Sequence, residues 1–131
     1  MKYMLMMAGP RQGWDEMATW SADDLKAHIQ FMARFSENLV ESGELVDAQG
    51  LAGPEGTKIV KAQPGGPPVV TDGPFPETKE FLAGFWIVDV ESEARAIEIA
   101  GQASSAPGRG GAPVQIPIEV RQVGEAPAVE T

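Results

Sequence analysis

The chain has 131 residues, and its 19 Asp and Glu against 10 Lys and Arg give a net charge of −9 at pH 7. That balance excludes the clustered cationic surface with which proteins hold nucleic-acid phosphates or anionic membranes. The absence of Cys removes disulfides, thiolate metal sites and thiol catalysis, and a single His removes a multi-histidine zinc site within one chain.

A domain of this size buries roughly two thirds of its unfolded surface, enough for a real core. The 15 Gly and 11 Pro gather in connectors rather than in the apolar runs. The opening MKYMLMM is shorter than a signal-peptide core. The longest apolar stretch, residues 81–88, is too short to cross a bilayer as a helix. These features predict a cytoplasmic protein with no membrane partner, no metal and no cofactor.

Residues 2–8 are an apolar run without helical periodicity, stopped at Gly9-Pro10, and read as a buried strand. Residues 11–20 read as a loop carrying Trp14 and Trp20. Ser21 then starts a helix as its N-cap, with Asp23 and Asp24 at the positive end of the helix dipole. Leu25, His28, Ile29, Met32, Phe35 and Leu39 form one stripe, and Lys26, Gln30, Arg34, Glu37 and Glu41 the opposite face. Gly43 ends it.

Residues 44–50 and 57–62 read as strands, 69–71 as a short extended piece and 72–80 as a turn. Residues 81–90 are the most apolar strand and predicted central. Ser92 caps a second helix through Ala100, with Gly101 as its stop and residues 101–115 as a loop. Residues 116–123 are the last strand, with Pro117 at its start or at a sheet edge, and 124–131 a disordered tail.

The order β-α-β-β-(short β)-β-α-β fits a single α+β domain over residues 1–123, a ferredoxin-like sandwich with two helices on one face of an antiparallel sheet. Both faces of residues 81–90 are apolar, and one layer of two helices covers only one of them. The pattern therefore predicts a homodimer whose second chain covers the other face.

Residues 72–90, DGPFPETKEFLAGFWIVDV, carry a more specific signal. Asp72-Gly73-Pro74-Phe75, then Glu77-Thr78-Lys79-Glu80, then Gly84-Phe85 and an apolar strand resemble the DGPF-motif branch of the YCII-related protein family. The opening MKYMLMM and the closing Ile118-Glu119-Val120-Arg121 resemble that family's first and last strands. Two positions depart: Pro76 stands where a small residue is common, and Gln122 where a proline commonly follows the arginine. The resemblance implies a dimeric α+β barrel. The family is mostly uncharacterised; some members are regarded as enzymes because a His and an Asp share a cleft, and a few related barrels are isomerases or dehalogenase-like. Genes of the DGPF branch often neighbour extracytoplasmic-function sigma factors, which implies a regulatory context.

Two residues carry the candidate chemistry. Asp72 either starts an Asx-type turn, its carboxylate accepting backbone N–H of the turn, or is aimed into a cleft as a general acid or base beside Phe75 and Trp86. His28, in the middle of an apolar stripe, is either a core histidine satisfied by a backbone carbonyl or the partner of Asp72 in a catalytic dyad. Lys79 and Glu80 are either a solvated patch or part of the same cleft, where Asp72 and Glu80 together would suit a hard cation such as Mg²⁺. Gly108-Arg109-Gly110-Gly111 lacks the strand and helix of a phosphate loop and reads as flexible.

Two functions follow. One is a small dimeric enzyme moving protons on a small organic molecule, with His28 and Asp72 as acid and base and Phe75, Lys79, Glu80, Trp86 and Arg121 lining the pocket. The other is a non-catalytic ligand-binding or interaction module in sigma-factor-linked transcriptional regulation. A His28 bonded to a carboxylate in an open pocket favours the first, and a His28 bonded to backbone the second.

Overall fold

A computed structural model describes residues 1–73 and 80–128. The elements are β1 (Lys2–Gly9), α1 (Arg11–Met17), α2 (Ala22–Glu41), β2 (Leu45–Gly50), β3 (Lys58–Lys61), β4 (Val69–Asp72), β5 (Phe81–Asp89), α3 (Glu93–Ser104) and β6 (Ile118–Gln122). The main sheet is antiparallel and ordered β2-β5-β1-β6, the ferredoxin-like arrangement, with β5 and β1 inside.

Alternation divides every strand between two faces. On one face Ala48, Trp86, Leu5 and Val120 lie side by side across the four strands. Tyr3 and Val88 form the next pair, and α2 and α3 seal this face with Phe35, Leu39, Ala96, Ile99, Ala100 and Ala103. Trp86 meets Phe35 edge-on with ring centroids 5.5 Å apart. On the other face the rows read Gln49–Phe85–Met6–Glu119 and Asp47–Ile87–Met4–Arg121. Its centre is apolar and half-buried, its two margins are polar and exposed, and no described element packs on it.

The local signals at the helix ends act as expected. The Ser21 hydroxyl accepts the Asp24 N–H at 3.1 Å, and the Ser92 hydroxyl accepts the Arg95 N–H at 3.2 Å. Gly43 ends α2 at φ +77°, where an L side chain would be strained. In β5, a Cβ on Gly84 would sit 2.8 Å from the Gln49 carbonyl oxygen, so close pairing with β2 requires glycine.

Several expectations are corrected. Residues 11–17 are helical, not a loop; α1 follows Pro10 and buries none of its residues, so it leaves no apolar periodicity to read. The second helix continues through Gly101 to Ser104, because burying Ala103 offsets the roughly 1 kcal/mol cost of an internal glycine. The loop read for residues 101–115 therefore shrinks, and Arg109–Gly111 within it is a single 3₁₀ turn. The predicted stripe of α2 also shifts: Phe35 and Leu39 are buried and Phe31 and Met32 join them, whereas Leu25 and Ile29 are exposed. The strand at β3 pairs only with β4, so the two form a separate hairpin beside the main sheet.

Candidate functional site

His28 projects from the first half of α2 towards the connector between α3 and β6. Its Nδ1 lies 2.9 Å from the Pro107 carbonyl oxygen, and its ring meets Trp20 edge-on at 5.4 Å. A carbonyl only accepts, so Nδ1 is the protonated nitrogen and donates; Nε2 of the neutral ring keeps its lone pair. Two further bonds fasten the same connector: Arg109 donates to the Thr19 hydroxyl at 2.7 Å, and the Gly110 N–H donates to the Asp24 carboxylate at 2.9 Å. The connector is thus held at three points, two on α2 and one at Thr19 in the turn before it. The indole Nε1 of Trp20 is buried beside it with no hydrogen-bond partner among the described residues.

Asp72 is the last residue of β4. It sits opposite Lys58 across the hairpin, and the two side chains form an ion pair. The Asp72 side chain is 86% exposed, so water screens the pair and it contributes little to stability. Gly73 donates its N–H to the Thr57 carbonyl at 2.8 Å, closing the base of the hairpin. His28 and Asp72 have separate partners on separate elements, and among the described residues no carboxylate is hydrogen-bonded to His28. The turn at residues 74 and 75, and with it Phe75 and Lys79, lies outside the described residues.

Glu80 does line a cavity. A cleft of about 460 Å³ opens where the connector after β2 meets the start of β5, bounded by Leu51–Thr57, Glu80, Phe81 and Leu82. Leu51, Phe81 and Leu82 give it apolar walls, and Glu55 and Glu80 supply carboxylates. Arg11 at the start of α1 pairs with Glu55, and Trp14 on the same helix packs edge-on against Phe81, with centroids 6.1 Å apart. α1, absent from the sequence expectation, is thus what braces this cleft. No group of three or more His, Asp or Glu able to hold a metal occurs among the described residues.

The remaining expected residues lie elsewhere. Trp86 is 6% exposed, its ring engaged in the core. Arg121 stands exposed on the uncovered face of the main sheet, opposite Met4. A larger hollow, about 760 Å³, lies at the other end of the sheet among Met1, Lys2, Asp89 and residues 122–125. There the Met1 amino group donates to the Asp89 carboxylate at 2.9 Å and holds that acid below its ordinary range.

No described helix is long and apolar enough to cross a membrane. The chain is 32% identical over 117 residues to an uncharacterized protein of Rhizobium meliloti (strain 1021), a match spanning 87% of this chain and 93% of that one. Residues 1–112 match the YCII-related domain, a span containing α2, the hairpin and the cleft. With a ferredoxin-like sheet under that match, the chain belongs to the YCII-related domain family.

Proposed function

We propose that this protein, as a DGPF-branch member of its family, is a homodimer that binds a small organic cation in the cleft beside Glu80. The observation that carries this reading is the cleft's composition: three apolar walls, Leu51, Phe81 and Leu82, with the carboxylates of Glu55 and Glu80 at one cavity. An apolar hollow with a few polar groups is the usual form of a small-molecule site. Arg11 already engages Glu55, and Glu80, which pairs with no described residue, is the carboxylate offered to a ligand amine. The homodimer is supported by the apolar centre and polar margins of the open sheet face, the anatomy of a protein interface.

The test uses benzylamine and benzoate as probes, followed by backbone amide shifts in NMR. Benzylamine is expected to move the signals of residues 51–57 and 81–82, benzoate to leave them in place, and Glu80→Gln to weaken benzylamine about tenfold, the equivalent of about 1.4 kcal/mol. Equal shifts from both probes, or none at millimolar concentration, would overturn the reading.

One observation favours a second reading, proton transfer by His28. The Pro107 carbonyl fixes the protonated nitrogen and leaves Nε2 as a base, the orienting role that a carboxylate plays in a dyad. Under this reading Asp72 is not the orienting group within the same chain.

A further inference from the structure

α1 buries none of its residues, so the core does not account for its presence. Among the described residues its side-chain hydrogen bond and its ring contact both go to the cleft. Arg11 donates to the Glu55 carboxylate, and Trp14 meets Phe81 edge-on. Both partners wall the cavity; Arg11 and Trp14 stand behind them. A helix without a core face, attached twice at one cavity, acts on that cavity through its partners.

Glu55 is also held from a second side. A Cβ on Gly53 would sit 2.8 Å from Glu55 Oε2 and 3.9 Å from Trp14 Cδ1. The carboxylate therefore lies folded back over the Gly53 backbone, in space that only a glycine leaves open. Its other oxygen, Oε1, receives Arg11. The turn that carries Glu55 is itself fixed: Pro54 is buried, and its carbonyl accepts both the Thr57 hydroxyl at 2.7 Å and the Thr57 N–H at 3.3 Å. Two carboxylates line the cleft, and one of them is thus neutralised and turned aside before any ligand arrives.

We infer that Arg11 is a positioning residue that sets the charge of the cleft. It holds Glu55 against Gly53, so the ligand meets Glu80, and the cleft takes organic monocations and gains nothing from a second amine. The inference deepens the cation-binding reading above and rests on it. A second ammonium would either displace Arg11 from Glu55 or lie uncompensated beside the apolar walls Leu51, Phe81 and Leu82. Arg11 and Glu55 are each more than half exposed, so water screens their pair. An exposed pair is worth at most about fivefold in an equilibrium constant, which bounds the selectivity.

The test compares benzylamine with m- and p-xylylenediamine, the same ring carrying a second aminomethyl group, by NMR titration of the full chain. The quantity read is the ratio of diamine to benzylamine affinity. Arg11→Gln is expected to raise it about fivefold, because Glu55 then offers an unneutralised carboxylate. Gly53→Ala, whose Cβ pushes the Glu55 carboxylate off its seat, is expected to raise it in the same direction. Arg11→Lys keeps the charge and is expected to keep the wild-type ratio. Absence of benzylamine binding to the wild type would overturn the cleft reading and this inference together. Benzylamine binding with an unchanged ratio in Arg11→Gln, or with both probes weakened equally, would make α1 a mere brace; that outcome sinks the role of Arg11 and leaves the cleft standing. A wild type that already holds either diamine more than about tenfold tighter than benzylamine, beyond what an exposed pair supplies, would show Glu55 open to the ligand and sink it as well.

Discussion

The two faces of the main sheet are built from the same strands and meet different fates. Leu5 and Val88 point towards the helices and are fully buried; Met4, Met6, Phe85 and Ile87, one residue away in each strand, point the other way and stay half-exposed. The sequence is apolar at both sets of positions, so hydrophobicity does not distinguish them. Cover does: two helices close one face, and among the described residues nothing packs on the other. Leu5→Ala should therefore cost about 2–5 kcal/mol in urea denaturation at any protein concentration, the range for a truncated buried leucine. Met6→Ala should cost about 1 kcal/mol in dilute solution, since its site is only partly dry, and, under the proposed homodimer, more as concentration rises. Equal costs at high dilution would break the comparison of the faces.

Two ion pairs give a second contrast. Arg95 on α3 holds Glu44, just before β2, through two parallel bonds of 2.9 Å each, and adds a third, 3.0 Å, to Glu98. The Glu44 side chain is 17% exposed, against 86% for Asp72 in its pair with Lys58. The Arg95 bonds outweigh the cost of partial burial and hold the Glu44 carboxyl below its ordinary value of 4.5; the reciprocal interaction raises Arg95. A depressed carboxyl stabilises the fold above its unfolded value, and that stability drains away as pH falls below about 4.5 and through the lowered folded value. Arg95→Met is expected to cost about 2 kcal/mol at pH 7, the range for charged hydrogen bonds, and to give a shallower acid limb than wild type. Parallel acid limbs in urea titrations from pH 7 to 3 would show that another acid governs the loss.

Local features of the fold were legible in the sequence, and long-range attachments were not. Ser21 and Ser92 declare themselves because a cap is a contact over three residues. The main strands and the resemblance at residues 72–90 were likewise on the page. α1 was hidden because it buries nothing, and the end of α3 because the gain that carries it past Gly101 comes from Ala103 meeting the core. The separation of β3 and β4 from the main sheet is invisible to alternation, which reports faces and not partners. At the site, His28 stands out in the sequence as a polar residue in an apolar stripe, but the group its ring bonds is a carbonyl 79 residues away that no side-chain pattern announces. Glu80 was expected at a cleft; the residues that build that cleft, Glu55, Phe81 and the bracing Arg11 and Trp14, were missed because a connector and an unpredicted helix bring them there.

The smallest effects separate the two residues that the sequence paired. His28→Ala removes a partly buried bond to Pro107 and a ring packed on Trp20, and should cost about 1 kcal/mol. Asp72→Asn removes only an exposed ion pair and should cost a few tenths of a kcal/mol at most. The informative readout is position as well as size. Hydrogen exchange in His28→Ala should quicken at Gly108, Ala112 and Val114, whose N–H groups donate to carbonyls around that connector, and at Gly110, whose N–H donates to Asp24. In Asp72→Asn it should quicken only within the hairpin. If the double variant loses more than the sum of its parts, by over about 0.5 kcal/mol, the two side chains are coupled after all. Within one chain each has its own partner among the described residues, so under the proposed homodimer such coupling would pass through a second copy and should vanish on dilution.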